Sequence, residues 1–170
     1  MGNHFRCAAV LAFALIGAVA ALATASACSM PPDWTPQRAF AEASLVFRGM
    51  VTETELSPIK LGTVPPDEGD GRILVNVRYE IAEVFKGKPE PNGVVSTTTL
   101  IMGGCGVPVL AGQNFLFYVD AITEEARKAE PEFATQTQGM ISIYNSQMLP
   151  PNPELLEEAL AEVRALAKKH

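Results

Sequence analysis

Histidine is almost absent from this chain: His4 lies near the start, His170 is the last residue, and nothing between them carries an imidazole. Ser-His-Asp and Cys-His catalysis need a positioned imidazole as general base, and most protein zinc sites use histidine or several cysteines. Neither arrangement can be assembled from the interior of this sequence. Cysteine is scarce too, with three in 170 residues. Basic residues are in the minority, 13 Lys and Arg against 19 Asp and Glu, for a formal charge of −6. A nucleic-acid surface needs basic clusters that replace counterions, so DNA and RNA are excluded as partners. Paired carboxylates alone serve glycosidases, but here the acids are scattered through polar loops and one helix. No enzymatic activity and no cofactor is expected.

What the chain does have is a segment that reads as an export signal. Arg6 is followed by an uncharged apolar run from Cys7 to Ala23 and then by Thr24-Ala25-Ser26-Ala27. Small residues at Ala25 and Ala27 fit cleavage after Ala27, which makes residues 1–27 a signal peptide and Cys28 the new N-terminus. About 20 uncharged residues also suffice to span a bilayer, although Thr24 and Ser26 argue against a retained anchor. Ala25-Ser26-Ala27-Cys28 further resembles the lipobox of bacterial lipoproteins, with Ala25 where that motif usually has leucine. The two fates of Cys28 exclude each other. Simple cleavage leaves Cys28 and Cys105 as a pair with one possible connectivity, in an oxidising compartment that favours a disulfide. Lipidation of the Cys28 sulfur leaves Cys105 a free thiol. The expected location is the periplasm or the outside of the cell, with membrane association only if the signal is retained or Cys28 is lipidated.

Residues 28–170 make one ordinary domain with enough chain for a core, and losing Arg6 takes the formal charge from −6 to −7. Residues 28–34, with Pro31 and Pro32 adjacent, read as an extended arm. Thr35 reads as an N-cap with Pro36 at the first helical position, and Ala39, Phe40 and Ala43 as the inner face of a short helix. From Leu45 the period changes to two, predicting a strand to about Thr52 with Gly49 marking a bulge or coil. A loop is expected over 57–71, where Asp67, Glu68 and Asp70 suit a solvated hairpin tip better than a calcium site, since the later glutamate of an EF-hand loop is missing.

Residues 72–85 alternate through Ile73, Val75, Val77, Tyr79 and Ile81 before Val84 breaks the phase, which predicts a bulge near Ala82-Glu83 in a long bent strand. Strands are expected at 94–101, at 114–120 with both faces apolar, and at 140–144, while residues 121–138 read as an acidic, polar loop with room for a helical turn around Glu124 to Lys128. Between them the glycines of 102–108 allow close approach of another segment, which would be the arm. Asn152 caps a helix opened by Pro153, whose apolar stripe of Leu155, Leu156, Ala159, Leu160, Val163 and Leu166 is expected to pack on the sheet over 152–169.

This order of elements resembles the tissue inhibitors of metalloproteinases and the wider netrin-like module. The matching residues are Cys28-Ser29, Pro32, the Ala43 to Val51 strand, Val84-Phe85-Lys86-Gly87, Cys105-Gly106-Val107, and Gly112 ahead of Phe115 to Val119. The resemblance implies a mainly β fold, a five-stranded OB-type Greek-key barrel with a short N-terminal helix and an amphipathic C-terminal helix. In that family a free N-terminal cysteine places its α-amine and carbonyl oxygen on a protease's catalytic zinc. By position Cys28 would chelate, Ser29 would lie towards the specificity pocket, and Met30, Pro31 and Pro32 would extend the contact. The partner implied is a zinc metalloproteinase or another extracytoplasmic protein. The inhibitors have a second cysteine where Met30 stands and further disulfides beyond it, so here one bridge would hold the arm. Closing its loop of about 78 residues is worth about 4.5 kcal/mol in the chain-entropy model. The competing reading is an envelope lipoprotein or structural component attached through a lipidated Cys28.

Overall fold

A computed structural model describes residues 31–61, 72–98 and 106–169. The described residues from Pro32 onward form one compact unit. Residues 1–27, expected as a signal peptide, lie outside the described residues, as do Cys28, Ser29, Met30, Cys105 and Asp67, Glu68 and Asp70, expected at a hairpin tip.

The protein is mainly β. Helix α1 (Pro36–Glu42) precedes strands β1 (Leu45–Leu61), β2 (Arg72–Lys86), β3 (Val94–Thr98) and β4 (Asn114–Asp120). Helices α2 (Glu124–Ala129) and α3 (Pro131–Gln136) follow, then strands β5 (Met140–Ile141) and β6 (Gln147–Met148) and helix α4 (Pro153–Ala167). The strands form one six-stranded sheet in the order β1-β2-β3-β5-β4-β6, and β1 also pairs with β4. That extra pairing closes a ring of five strands with β6 outside it. All pairs are antiparallel except β3 with β5, where Ser96 stands opposite Met140.

Period-two alternation gives each ring strand an inner and an outer face. The inner faces meet in a core of Phe47, Val77, Tyr79, Val95, Phe115 and Phe117 with their neighbours. The outer face of β1 and β4, through Val46, Leu116 and Tyr118, is covered by Ala39 and Phe40 of α1 and by Leu160, Val163 and Leu166 of α4. Strand β4 is therefore buried on both faces, as its two apolar faces predict. A third, smaller cluster places Phe133 of α3 and Ile122 against Leu74 of β2.

The bulge expected near Ala82-Glu83 is present. Arg48 pairs with Glu83 and Gly49 with Ile81, so Ala82 is the extra residue and it sits on β2 rather than at Gly49. Gly49 serves instead by close approach, since a Cβ there would stand 2.9 Å from the Glu80 carbonyl oxygen. Both helix starts are also as predicted. The Thr35 hydroxyl accepts from the Arg38 amide at 3.1 Å, and the Asn152 side chain accepts from Glu154 and Leu155 at 2.9 and 3.2 Å.

Four expectations are corrected. Strand β1 continues past Thr52 to Leu61, because its ladder with β2 persists through Leu56 opposite Val75 and Lys60 opposite Ile73. Residues 121–138 are not a loop: Thr123 caps α2 by accepting from Ala126 at 3.1 Å, and Pro131 opens α3. The fifth strand shortens to Met140–Ile141, and β6 adds a sixth by pairing with β4. Leu155, assigned to the buried stripe of α4, is 53 % exposed because the packed face of that helix runs through Leu160, Val163 and Leu166.

Helix α4 is tied to β2 by Arg164, whose Nε and Nη2 donate to the two Glu83 carboxylate oxygens at 2.9 Å each, while its Nη1 pairs with Glu157. The Arg164 hydrogen bonds hold the Glu83 carboxyl below the usual glutamate range, with a smaller contribution from the Arg48 charge. A group whose pKa is depressed by folding contributes stability above its unfolded pKa and loses it as the pH falls through the folded value. Arg164→Ala should therefore cost about 1 kcal/mol at neutral pH, the pair being part-exposed. Its stability should also fall less steeply than that of the parent below the ordinary glutamate range. Urea titrations across that acid range measure both effects, and parallel acid limbs in the two proteins would rule out the assignment to Glu83.

Candidate functional site

The residues singled out from the sequence are Cys28, Ser29, Met30, Pro31 and Pro32, with Cys105 as the bridging partner. Of these the described structure includes Pro31, which is half-buried, and Pro32, which is exposed. The pairing of Cys28 with Cys105 lies outside the described residues. What the structure does define is the chain that follows each of them, from Pro31 and from Gly106 onward.

The root of the arm is held by short-range contacts around one tryptophan. Trp34 packs against Tyr144 with ring centroids 4.6 Å apart and lies under the Arg38 guanidinium at 5.5 Å. Arg38 in turn pairs with Asp33 and with Glu42, the latter at 2.7 Å. Aromatic stacking and cation–π contact each add a modest increment to burial, and they fix the chain direction just before Thr35. The Trp34 indole nitrogen and the Asn145 amide nitrogen are both buried without a hydrogen-bond partner among the described residues, and Asn145 holds a left-handed backbone at φ 65°. These are two donors suited to an acceptor such as a peptide carbonyl.

Helix α1, directly behind the arm, is locked to the far end of β2 by Lys86. Its ammonium donates to the carbonyl oxygens of Phe40 at 2.7 Å and Ala41 at 2.8 Å, and it lies 5.6 Å from the Phe40 ring. A cation on the last carbonyls of a helix satisfies acceptors left open there and opposes the negative end of the helix dipole. The motif Val84-Phe85-Lys86-Gly87 thus supports the helix that follows the arm. Sequence reasoning quoted the motif but missed this role, because the partners are 45 and 46 residues away.

The segment after Cys105 is anchored from inside the ring. The Val107 amide donates to the Thr97 hydroxyl of β3 at 2.9 Å, and Val107 and Val109 both belong to the inner core. Across β3, the Gln138 amide nitrogen donates to the buried Tyr79 hydroxyl at 2.5 Å while its oxygen accepts from the Glu90 amide at 3.0 Å. Burial pushes the Tyr79 hydroxyl up to about 12, and the nearby Glu90 charge acts in the same direction. Tyr79 therefore stays protonated at any physiological pH and acts as a structural partner.

No protein-family model matches the chain, and no curated protein matches it. Among the described residues no group of three His, Cys, Asp or Glu converges to hold a metal ion. No helix among them is long and apolar enough to cross a membrane.

Proposed function

We propose that the protein is an exported, non-enzymatic protein-binding module on an OB-type Greek-key barrel, and that it inhibits a zinc metalloproteinase through an N-terminal Cys28. The observation that carries this reading is the closed ring itself. Its strands run β1-β2-β3-β5-β4 and back to β1, with β5 parallel to β3, so the chain crosses from β3 to β4 and returns to fill the gap, as a Greek-key barrel requires. Helix α1 follows the arm, and Lys86 fastens it at the position where the inhibitor-like motif stands. The fold supports the binding class by analogy, and the chemistry rests on Cys28.

Chelation needs a neutral amine next to a carbonyl oxygen. An α-amine has a pKa of about 7.7 to 8.0, so a metal ion can displace its proton near neutral pH at modest cost. Occupying the open position of a catalytic zinc displaces the water that would attack the substrate. The Cys28–Cys105 bridge would hold the amine at the surface, with Ser29 to Pro32 along the protease.

The test is a panel of zinc endopeptidases assayed with protein beginning at Cys28 and with protein carrying one alanine ahead of it. The first form should inhibit, and the extension should weaken inhibition by on the order of 100-fold or more, because it moves the amine away from the carbonyl of Cys28. Equal potency of the two forms would sink the chelation. Intact mass before and after reduction and alkylation checks the premise. The expected protein starts at Cys28 and gains two alkyl groups only after reduction, whereas an added diacylglycerol would replace this reading with the attached lipoprotein.

A further inference from the structure

Strand β1 is 17 residues long, yet β4 accompanies only its first part. The β1–β4 ladder runs from Leu45 opposite Val119 to Met50 opposite Asn114. Beyond it, the Val51 amide donates to the Gln113 carbonyl and the Val51 carbonyl accepts from the Gly112 amide, each at 2.8 Å. Past Val51 the ladder with β2 continues, and no other strand among the described residues pairs with β1. Among the described residues, 52–56 therefore form a sheet edge. Val51 turns its polar groups away from β2, and one extra residue at Thr52 shifts the register. The alternation of an antiparallel ladder then directs the N–H and C=O of Thr54 and Leu56 to the open side.

The two faces of this edge differ in chemistry. On the outer face Glu53 and Glu55 are exposed, and Arg78 of β2 reaches both, at 3.3 and 3.6 Å, leaving an excess of negative charge. On the inner face Leu56 is 68 % exposed and Ile73 37 %, beside half-buried Val75. Edge strands are commonly blunted with charge and bulges. Glutamates and a shifted register fit that habit, but a large apolar side chain held mostly in water on the same edge does not.

We propose that the β1 edge from Glu53 to Leu56 receives an extended segment of a partner protein by strand addition, a segment with basic side chains on one face and apolar ones on the other. Main-chain bonds to Thr54 and Leu56 supply the attachment, and side chains at alternate positions supply the selectivity. Basic residues facing Glu53 and Glu55 make favourable cross-strand pairs, and apolar ones cover Leu56. A second copy of this chain is a poorer occupant. Antiparallel pairing centred on Thr54 sets Glu53 opposite the other copy's Glu55, pairing centred on Glu55 sets that residue against itself, with like charges directly opposed, and pairing centred on Leu56 sets Thr54 opposite Pro58, which has no N–H to donate. The site is independent of Cys28.

The test uses the purified protein, isotope-labelled for NMR, and a short acetylated peptide of alternating lysine and valine. Two further versions carry N-methyl groups on the lysines only or on the valines only, and a glutamate–valine peptide is the charge control. The amides of Thr54 and Leu56 should shift and gain protection from exchange on binding. One N-methylated peptide should lose at least about tenfold in affinity while the other binds as the parent does, because only one set of its amides faces the edge. The double variant Glu53→Lys, Glu55→Lys should reverse the preference towards the glutamate–valine peptide. Equal binding of both N-methylated peptides means charge attraction without strand pairing and overturns the proposal, as do shifts confined to other strands. A dimer in sedimentation that Leu56→Arg converts to monomer would assign the edge to a second copy and overturn it equally. Protein with an alanine ahead of Cys28 should bind the peptide unchanged, so failure here and failure of chelation are separately visible.

Discussion

Phe117→Ala should destabilise the protein by about 3–5 kcal/mol and lower its Tm by roughly 10 °C or more. Phe117 is completely buried, and its ring lies 4.8 Å from Phe47, 4.9 Å from Phe115 and 5.7 Å from Tyr79, measured between centroids. Those neighbours belong to β1, β4 and β2, so one side chain joins three strands of the ring. Phe47 and Phe117 also stand directly opposite each other in the β1–β4 ladder, the pairing that closes the ring. Removing the ring leaves a void lined by aromatic groups, and their strands are hydrogen-bonded on both sides and cannot move in to fill it. A cavity that does not collapse puts the cost at the upper end of the range for such truncations. Phe117→Leu keeps most of the volume and should cost clearly less. Thermal and urea unfolding of the two variants measure the difference, and a loss below about 1 kcal/mol for alanine would mean that the interior is loosely packed.

Much of this core was legible because the alternation of β2 and β4 is clean. Phe115, Phe117 and Val119 on one side and Leu116 and Tyr118 on the other predict a strand buried on both faces, and the phase slip at Val84 predicts the bulge that the register places at Ala82. The helix starts were legible for a local reason as well, since Thr35-Pro36 and Asn152-Pro153 combine a capping side chain with a fixed φ. The far half of β1 was not, because Glu53, Glu55 and Pro58 speak against a central strand. They are compatible with an edge, and whether a strand is central or at the edge is a property of the sheet. Helix α2 has a local signal of its own: Thr123 ahead of Glu124 and Glu125, with Arg127 and Lys128 at the other end, suits the dipole throughout.

The shortest strands were legible only in part. The strand expected at 140–144 pairs only over Met140–Ile141, and Gln147–Met148 was not foreseen; at two residues each, both exist because β3 and β4 present partners to them. The same applies to the supports of the candidate site. Lys86 beneath α1 and Arg164 on Glu83 are contacts 45 to 81 residues apart in sequence. Composition restricted the chemistry, through the missing imidazoles, and drew attention to Cys28. Spacing alone carried no sign that the helix following the arm is tied to the end of β2.

Gly139→Ala should cost about 2–3 kcal/mol, through overpacking at the seam of the ring rather than through a lost side chain. Gly139 lies just ahead of β5, where that strand enters between β3 and β4. Its carbonyl accepts from the Ser96 amide at 3.0 Å and also from the Thr137 hydroxyl at 3.0 Å. A Cβ at this position would stand 2.3 Å from the Asp120 carbonyl oxygen and 2.7 Å from a Val119 methyl. The nearest atom is backbone, at the end of the β4 segment that pairs with β5, so it cannot swing aside as the tip of a flexible side chain would. Relief requires Gly139 to withdraw from β4, and because β5 lies between β4 and β3 this drives it onto Ser96 and distorts the bond from the Ser96 amide, which belongs to the ring's one parallel pair. The expected pattern is therefore local as well as global. Exchange of the Ser96 amide should accelerate in Gly139→Ala by more than the overall loss of stability explains, while the Tyr79 amide, bonded to Gly93 across the β2–β3 side, should follow the global change. A variant as stable as the parent, or one in which both amides respond alike, would mean that β5 does not close the ring by close approach at Gly139.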